Sequence, residues 1–225
     1  MKTLYIVGTP IGNLEDISLR ALKVLKEVDF IICEDTRWTL KLLNHFEIKK
    51  PLVSYHQHSR LQKIDFIISE LKNKNAALVS DAGTPGISDP GGLLIREVVE
   101  KLGSSIKIAA IPGPSALAAA VSVSGLACDK FRFLGFLPHK KGRETLFKEI
   151  VDSKETIVFY ESPHRILKTL ESLEKVLDKQ RKIAVGRELT KIYEEVVRGN
   201  AGEILNYFKN NPDKVKGEFV VLVAK

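Results

Sequence analysis

Cysteine is nearly absent: Cys33 and Cys128 are the only two in 225 residues. Each stands beside a hydrophobic segment. Two such thiols cannot make the bridged framework of a small secreted domain and read as reduced cysteines of a cytoplasmic protein. Long apolar runs are missing too. Residues 4–7 are too short for the core of a secretory signal, so none is expected. The charge-free stretch 108–127 is broken by Pro112-Gly113-Pro114 and is otherwise dominated by Ala and Ser, which insert weakly into lipid. It reads as a buried strand, a turn and a small-residue helix, so no membrane span is expected. A metal centre lacks its ligands: His56 and His58 stand two apart, but no Cys pair or third ligand at a recognisable spacing joins them. The Gly-x-Ser-x-Gly elbow of a serine nucleophile is absent, as is the Gly-Lys-Ser/Thr of a phosphate-binding loop. No internal repeat or low-complexity tail occurs.

What remains is an ordinary globular composition, with 44% hydrophobic and 28% charged residues. The length fits one large domain or two small lobes. Lys and Arg outnumber Asp and Glu by 35 to 28, a formal net charge of +7. Such an excess suits a polyanionic partner and equally a solvated basic surface; charge speaks to association and not to fold.

Strand and helix patterns alternate from the start. Apolar runs at 4–7, 30–33, 52–55, 76–79 and 106–111 have the character of buried parallel strands. Between them, Leu19, Leu22, Leu25 and Val28 recur at helical spacing, as do apolar residues over 39–46, 64–71 and 93–102. That order predicts right-handed crossovers and a doubly wound sheet. The second half differs. Strand candidates fall at 131–136, 156–160, 182–187, 193–197 and 218–223, with helices only at 143–152, 166–177 and 201–208. More strands per helix implies a mixed sheet. The expected architecture is α/β with two α/β lobes, residues 1–113 and 114–225. The boundary lies near 113–128, where the Ala-rich helix would bridge the lobes.

Ligands of open α/β sheets bind beyond the carboxyl ends of the strands, and four loops there are unusual. Gly8-Thr9-Pro10-Ile11-Gly12-Asn13-Leu14 makes a tight turn, but it lacks the third glycine of a dinucleotide fingerprint. Glu34 and Asp35 nevertheless stand where a ribose-binding acid would, which keeps a nicotinamide enzyme in view. The run from Ser80-Asp81 through Gly83, Gly86, Ile87, Ser88 and Asp89 to Gly91-Gly92 suits a ligand read by main-chain hydrogen bonds, and otherwise a long structural turn. Pro112-Gly113-Pro114-Ser115-Ala116 is either a ligand-approaching helix start or one buried between lobes. In Phe159-Tyr160-Glu161-Ser162-Pro163-His164-Arg165, Ser162 reads as an N-cap and Pro163 as the first helical residue, aiming Glu161, His164 and Arg165 at one rim.

Together and in this order, these segments resemble the tetrapyrrole-methylase (class III) superfamily of S-adenosylmethionine-dependent methyltransferases. Cys33-Glu34-Asp35-Thr36-Arg37 and the Phe159 segment are similar to the branch that methylates a cytidine ribose 2′-hydroxyl in 16S small-subunit ribosomal RNA. Ser54-Tyr55-His56-Gln57-His58, Gly186-Arg187-Glu188-Leu189-Thr190-Lys191 and Lys216-Gly217-Glu218-Phe219-Val220 extend the match over nearly the whole chain. The resemblance implies a homodimer, with the donor folded in a cleft between two lobes rather than on the first glycine loop. Asp81, Gly83, Ile87, Ser88, Ser115, Ala116 and Phe159 would line the donor's pocket, largely through backbone. Pro10, Asn13, Arg37, His56, His58, Arg165 and Lys191 would face the RNA. Asp35, Glu161 or His164 would accept the proton of the reacting hydroxyl. Many members of this branch carry a further C-terminal helical segment that this sequence lacks, so His139, Lys140, Lys141 and Arg143 are candidates for added RNA contact, or else a solvated loop. Two alternatives stand: a tetrapyrrole methyltransferase of the same superfamily, and a non-catalytic RNA-binding protein on the same fold.

Overall fold

A computed structural model describes residues 1–56 and 61–225. The chain divides into two compact units, Met1–Ser115 and Ala116–Lys225.

The first unit alternates β1 (Lys2–Val7), α1 (Leu19–Glu27), β2 (Phe30–Cys33), α2 (Thr36–His45), β3 (Leu52–Ser54), α3 (Leu61–Leu71), β4 (Ala76–Leu78), α4 (Gly91–Leu102) and β5 (Ile106–Ile111). Its strands form one parallel sheet in the order β3-β2-β4-β1-β5. Alternation along the strands sends Val7, Ile31, Cys33, Ala77 and Val79 to the face covered by α1 and α2. Leu4, Phe30, Ile32, Ala76 and Leu78 point to α3 and α4 on the other. α1 differs in detail from its expected face: Leu19 is exposed, and Ala21, Val24, Leu25 and Val28 are the buried stripe. Ser18 caps the helix, its Oγ accepting from the Ala21 N–H at 3.1 Å. α2 begins three residues before the expected start because Asp35 caps it, accepting from the Arg37 N–H at 2.8 Å.

The second unit holds α5 (Ala116–Ser124), β6 (Phe131–Phe136), α6 (Arg143–Asp152), β7 (Thr156–Glu161), α7 (Ile166–Val176), β8 (Ile183–Arg187), β9 (Glu195–Gly199), α8 (Ala201–Asn210) and β10 (Phe219–Val223). Its sheet is mixed, in the order β6-β7-β10-β8-β9, with β6 and β7 parallel and the other pairs antiparallel. Ile157, Phe159, Ile183, Val185, Phe219, Val221 and Val223 face the core made with α6, α7 and α8. α5 packs on β8, β9 and β10 and is a member of this unit. Its Ala and Ser side chains let the sheet approach closely. Arg198 of β9 fixes its end, Nε donating to the Ser124 carbonyl at 2.9 Å and an Nη to that of Val123.

Local features decide the starts of β9 and α7. The strand expected at 193–197 runs from Glu195 to Gly199, because 188–194 fold into successive turns with Glu188 and Thr190 at positive φ. α7 begins at Ile166, where its apolar period places it, and not at Pro163, where the Ser162-Pro163 motif alone would start it. Ser162 caps through its carbonyl, which accepts from the Arg165 and Ile166 N–H groups at 3.0 Å each, and not through its hydroxyl.

Candidate functional site

From β1 and β2 the chain crosses toward the β3 edge of the first sheet; from β3 and β4 it returns toward β5. β4 therefore lies between two strands whose connections leave in the opposite direction. Its carboxyl end is a topological switch point, where open α/β sheets bind ligands. The loop that leaves this point begins at Ser80-Asp81.

Backbone proximity knits the loops here together. A Cβ on Gly8 would lie 2.8 Å from the Gly113 Cα, and one on Gly113 would lie 2.7 Å from the Gly8 carbonyl oxygen, so neither position admits a side chain. Thr9 and Gly83 exchange main-chain hydrogen bonds of 2.9 and 3.1 Å. The Thr84 hydroxyl donates to the Pro114 carbonyl at 3.0 Å. The Asp81 carboxylate accepts from the Asp35 N–H at 2.9 Å, tying the loop after β2 to the one after β4. Within the Asp81 loop, Asp89 accepts from the Gly86 N–H (2.8 Å) and the Gly91 N–H (2.7 Å). Gly83, Gly86 and Ser88 take positive φ values of 82°, 91° and 62°. For Ser88 that conformation costs on the order of 1 kcal/mol, strain that the Asp89 brace sustains.

This framework is a cradle with donors to spare. The N–H groups of Ile87, Ser88 and Ser115 make no hydrogen bond among the described residues. Main-chain donors without a partner, in a loop that glycines hold open, fit a ligand rich in hydroxyl and carboxylate oxygens. Glu34, Tyr55, Ser80 and Asp89 line a cavity of about 10 Å³ behind the loop, room for about one water. Burial, with Asp81 and Asp89 nearby, pushes the Glu34 carboxyl up. The buried Tyr55 hydroxyl has no partner among the described residues.

In the second unit, Glu161 ends β7 with its side chain wholly buried. It accepts from the Thr169 hydroxyl at 2.7 Å and the Ser162 N–H at 2.8 Å. Arg165 pairs with it at 2.7 Å and Arg143 approaches to 3.8 Å. Both guanidiniums are also held by carbonyls, Arg165 by that of Leu137 (2.7 Å) and Arg143 by that of Pro138 (3.2 Å). Burial lowers the Arg143 pKa, against the opposing pull of Glu161. After β8, the Glu188 carboxylate accepts from Lys191 Nζ and from the Glu218 N–H, each at 2.9 Å. Gly217, at φ 83°, sits so close that a Cβ would fall 2.2 Å from the Glu188 carboxyl.

The family model for Tetrapyrrole (Corrin/Porphyrin) Methylases matches residues 3–205. The chain belongs to the tetrapyrrole methylase family. A relative from Thermotoga maritima, named "Ribosomal RNA small subunit methyltransferase I", is 46% identical, covering all of this chain and 99% of that protein. One of the same name from Escherichia coli O157:H7 is 46% identical, over 98% of this chain and 77% of that protein. Among solved structures, diphthine synthase superposes with a TM-score of 0.76 at 16% identity, covering this chain fully and 90% of that one. The methyltransferase CobJ gives 0.72 at 17%, covering 100% and 95%. These last two establish the tetrapyrrole-methylase fold for both sheets.

Within this tetrapyrrole methylase, the residues singled out from the sequence separate. Asp81, Gly83, Ile87, Ser88 and Ser115 belong to the knitted loops of the first unit. Ala116 opens α5. The Phe159 side chain is 0% exposed in the second core, and its strand is paired on both sides. Pro10 is likewise buried, whereas Asn13 is exposed and caps a short 3-10 turn through the Glu15 N–H. His56 is exposed; His58 lies outside the described residues. Arg165 and Lys191 have inward duties rather than free charge, and so does Arg143, while His139, Lys140 and Lys141 are exposed. Burial works against the charge on Lys191, but hydrogen bonds to Glu218 and Glu188 outweigh it and raise the pKa.

The three proton acceptors considered are unequal. Hydrogen bonds from the Arg37 guanidinium and from its main-chain N–H hold the Asp35 carboxyl down at about 2. So weak a base accepts a hydroxyl proton poorly. Glu161 is out of reach. His164 is exposed, with no bond to another described residue. The glycine loops read from the sequence contain Thr9, Thr84 and Asp89 without revealing that these residues brace them, and Thr169, whose hydroxyl bonds Glu161, carried no signal.

Proposed function

We propose that this chain transfers the methyl group of S-adenosylmethionine to the 2′-hydroxyl of a cytidine ribose in 16S ribosomal RNA of the small subunit. The observation that carries this reading is 46% identity over the full chain to a protein named for that class of reaction. The segment Cys33-Glu34-Asp35-Thr36-Arg37 supports it, because it roots in the switch-point loops through the Asp35–Asp81 bond. We further propose a cytoplasmic homodimer. Exposed Phe131 and Phe136 on the edge strand β6 support self-association. Among the described residues no helix is long and apolar enough to cross a membrane.

When bound, the donor supplies a methyl on a sulfonium whose positive charge vanishes as the carbon moves to oxygen. The ribose oxygen gains that carbon and loses its proton, and the electron pair of the broken bond stays on sulfur. The task left to the protein is alignment and proton removal. Rigid loops serve the first: the Gly8–Gly113 approach and the Asp89 brace keep the Ile87 and Ser88 N–H groups fixed for the donor. For the second, His164 has the exposure that Glu161 lacks and is free of the Arg37 pairing that weakens Asp35 as a base.

Incubation with methyl-labelled donor and either isolated 16S RNA or small subunits tests the reading. Label should enter RNA and survive alkali as a dinucleotide, since a methylated 2′-oxygen cannot attack the adjacent phosphate. Label on a macrocycle instead would favour the tetrapyrrole alternative. Absence of donor binding by calorimetry would favour the non-catalytic one.

A further inference from the structure

The outer face of α2 is cationic and aromatic. Arg37, Trp38, Lys41 and His45 are exposed along it, and its buried side is Thr39 and Leu43. Between 36 and 50 Glu47 is the only carboxylate, against Arg37, Lys41, Lys49 and Lys50. Trp38, the chain's single tryptophan, is 56% exposed, with Lys41 Nζ over its ring at 4.2 Å. At the foot of the helix an open groove of about 410 Å³ runs between Leu40 and Asn44 on one side and residues 49–51 on the other. Lys41, Lys49 and Lys50 have no ion pair among the described residues. Arg37 is partly neutralised by Asp35, which leaves the three lysines as the free charge.

Solvated helix faces ordinarily mix both signs and expose few aromatics. This one does neither. It also has a fixed origin: the residue that caps α2, Asp35, is hydrogen-bonded to Asp81 at the switch point. Ten helical residues span roughly 15 Å, so the face leads away from those loops along the side of the sheet. Spaced cations beside an exposed π-face are what a single-stranded polynucleotide engages, through phosphates and a stacked base.

We infer that the outer face of α2, with Trp38, Lys41, Lys49 and Lys50, is a track that holds an RNA strand flanking the nucleotide to be methylated. This rests on the RNA reading proposed above. RNA, and not a protein segment, is the occupant, because the face couples unpaired lysines to a ring already positioned under a cation.

The test uses the full chain and two RNAs, 16S ribosomal RNA and a twelve-nucleotide oligocytidylate. Because Trp38 is the only tryptophan, its fluorescence reports contact directly and should be quenched by either RNA. Trp38→Phe supplies the dark control. The combined Lys41→Gln, Lys49→Gln, Lys50→Gln variant should bind RNA roughly ten- to a hundred-fold more weakly at moderate salt and flatten the salt dependence by about two units of slope. Its affinity for S-adenosylmethionine should be unchanged, which also shows that it is folded. A charge-matched variant in the second unit, Lys168→Gln, Lys175→Gln, Lys179→Gln, should change RNA affinity far less. Unquenched Trp38 on RNA that is demonstrably bound, or equal losses in the two triple variants, would overturn the track while leaving RNA methylation standing. No RNA binding or methylation by the unaltered protein would remove the reading on which the track rests.

Discussion

His164, Asp35 and Glu161 are three side chains at strand ends that could take a proton, and their surroundings separate them. Replacing His164 with Gln should lower methyl transfer by about 10²- to 10⁴-fold with donor affinity retained, read by single-turnover assay and calorimetry. Undiminished transfer would remove it from the chemistry. Glu161 behaves oppositely: Glu161→Ala leaves Arg165, and Arg143 beyond it, facing an uncompensated void, and should cost about 3–5 kcal/mol in denaturant unfolding. Asp35 yields a pH prediction. Its folded pKa of about 2 lies below the ordinary 3.8, so its stabilising contribution is full above about pH 4 and is lost as pH falls through 2. Carboxyl NMR should report that titration, and Arg37→Ala should move it back up. At this scale the sequence was least legible. Glu161, His164 and Arg165 stand together at a strand end, yet only packing shows that Arg143 and Thr169 turn the acid inward while His164 stays outside.

Elements were far easier to read than side-chain duties, because a buried strand needs a local apolar run and a helix a local period. β5, β6 and α6 fall where their patterns place them. The misplacements have local causes: the Asp35 cap lengthens α2, and turns with positive φ delay β9. Glycine motifs were visible as glycines; their reason was not. Gly8 and Gly113 lie 105 positions apart in sequence and touch backbone to backbone. Gly113→Ala should therefore destabilise the first unit by roughly 2 kcal/mol or more and abolish donor binding, measured by denaturant unfolding and calorimetry. Gly217→Ala combines a positive φ with a clash against Glu188, so it too should destabilise, by about 1–3 kcal/mol, read the same way. Either variant retaining unaltered stability would contradict the packing described for it.

For the molecule as a whole, the two sheets followed from the ratio of strands to helices in each half, since parallel crossovers demand helices and antiparallel neighbours do not. Strand order was not legible: that β4 inserts between β1 and β2 is a property of long-range pairing, and it creates the switch point on which the site rests. The net charge of +7 said only that an anion could be a partner. Its local expression, the acid-poor face of α2, gives that charge a direction. The decisive measurement is nucleotide mapping of 16S RNA after reaction with the purified protein and methyl-labelled S-adenosylmethionine. One added methyl on the ribose of a single cytidine, dependent on His164 and weakened by salt, is the predicted result. Label confined to a base, to a tetrapyrrole or to no acceptor at all would contradict it.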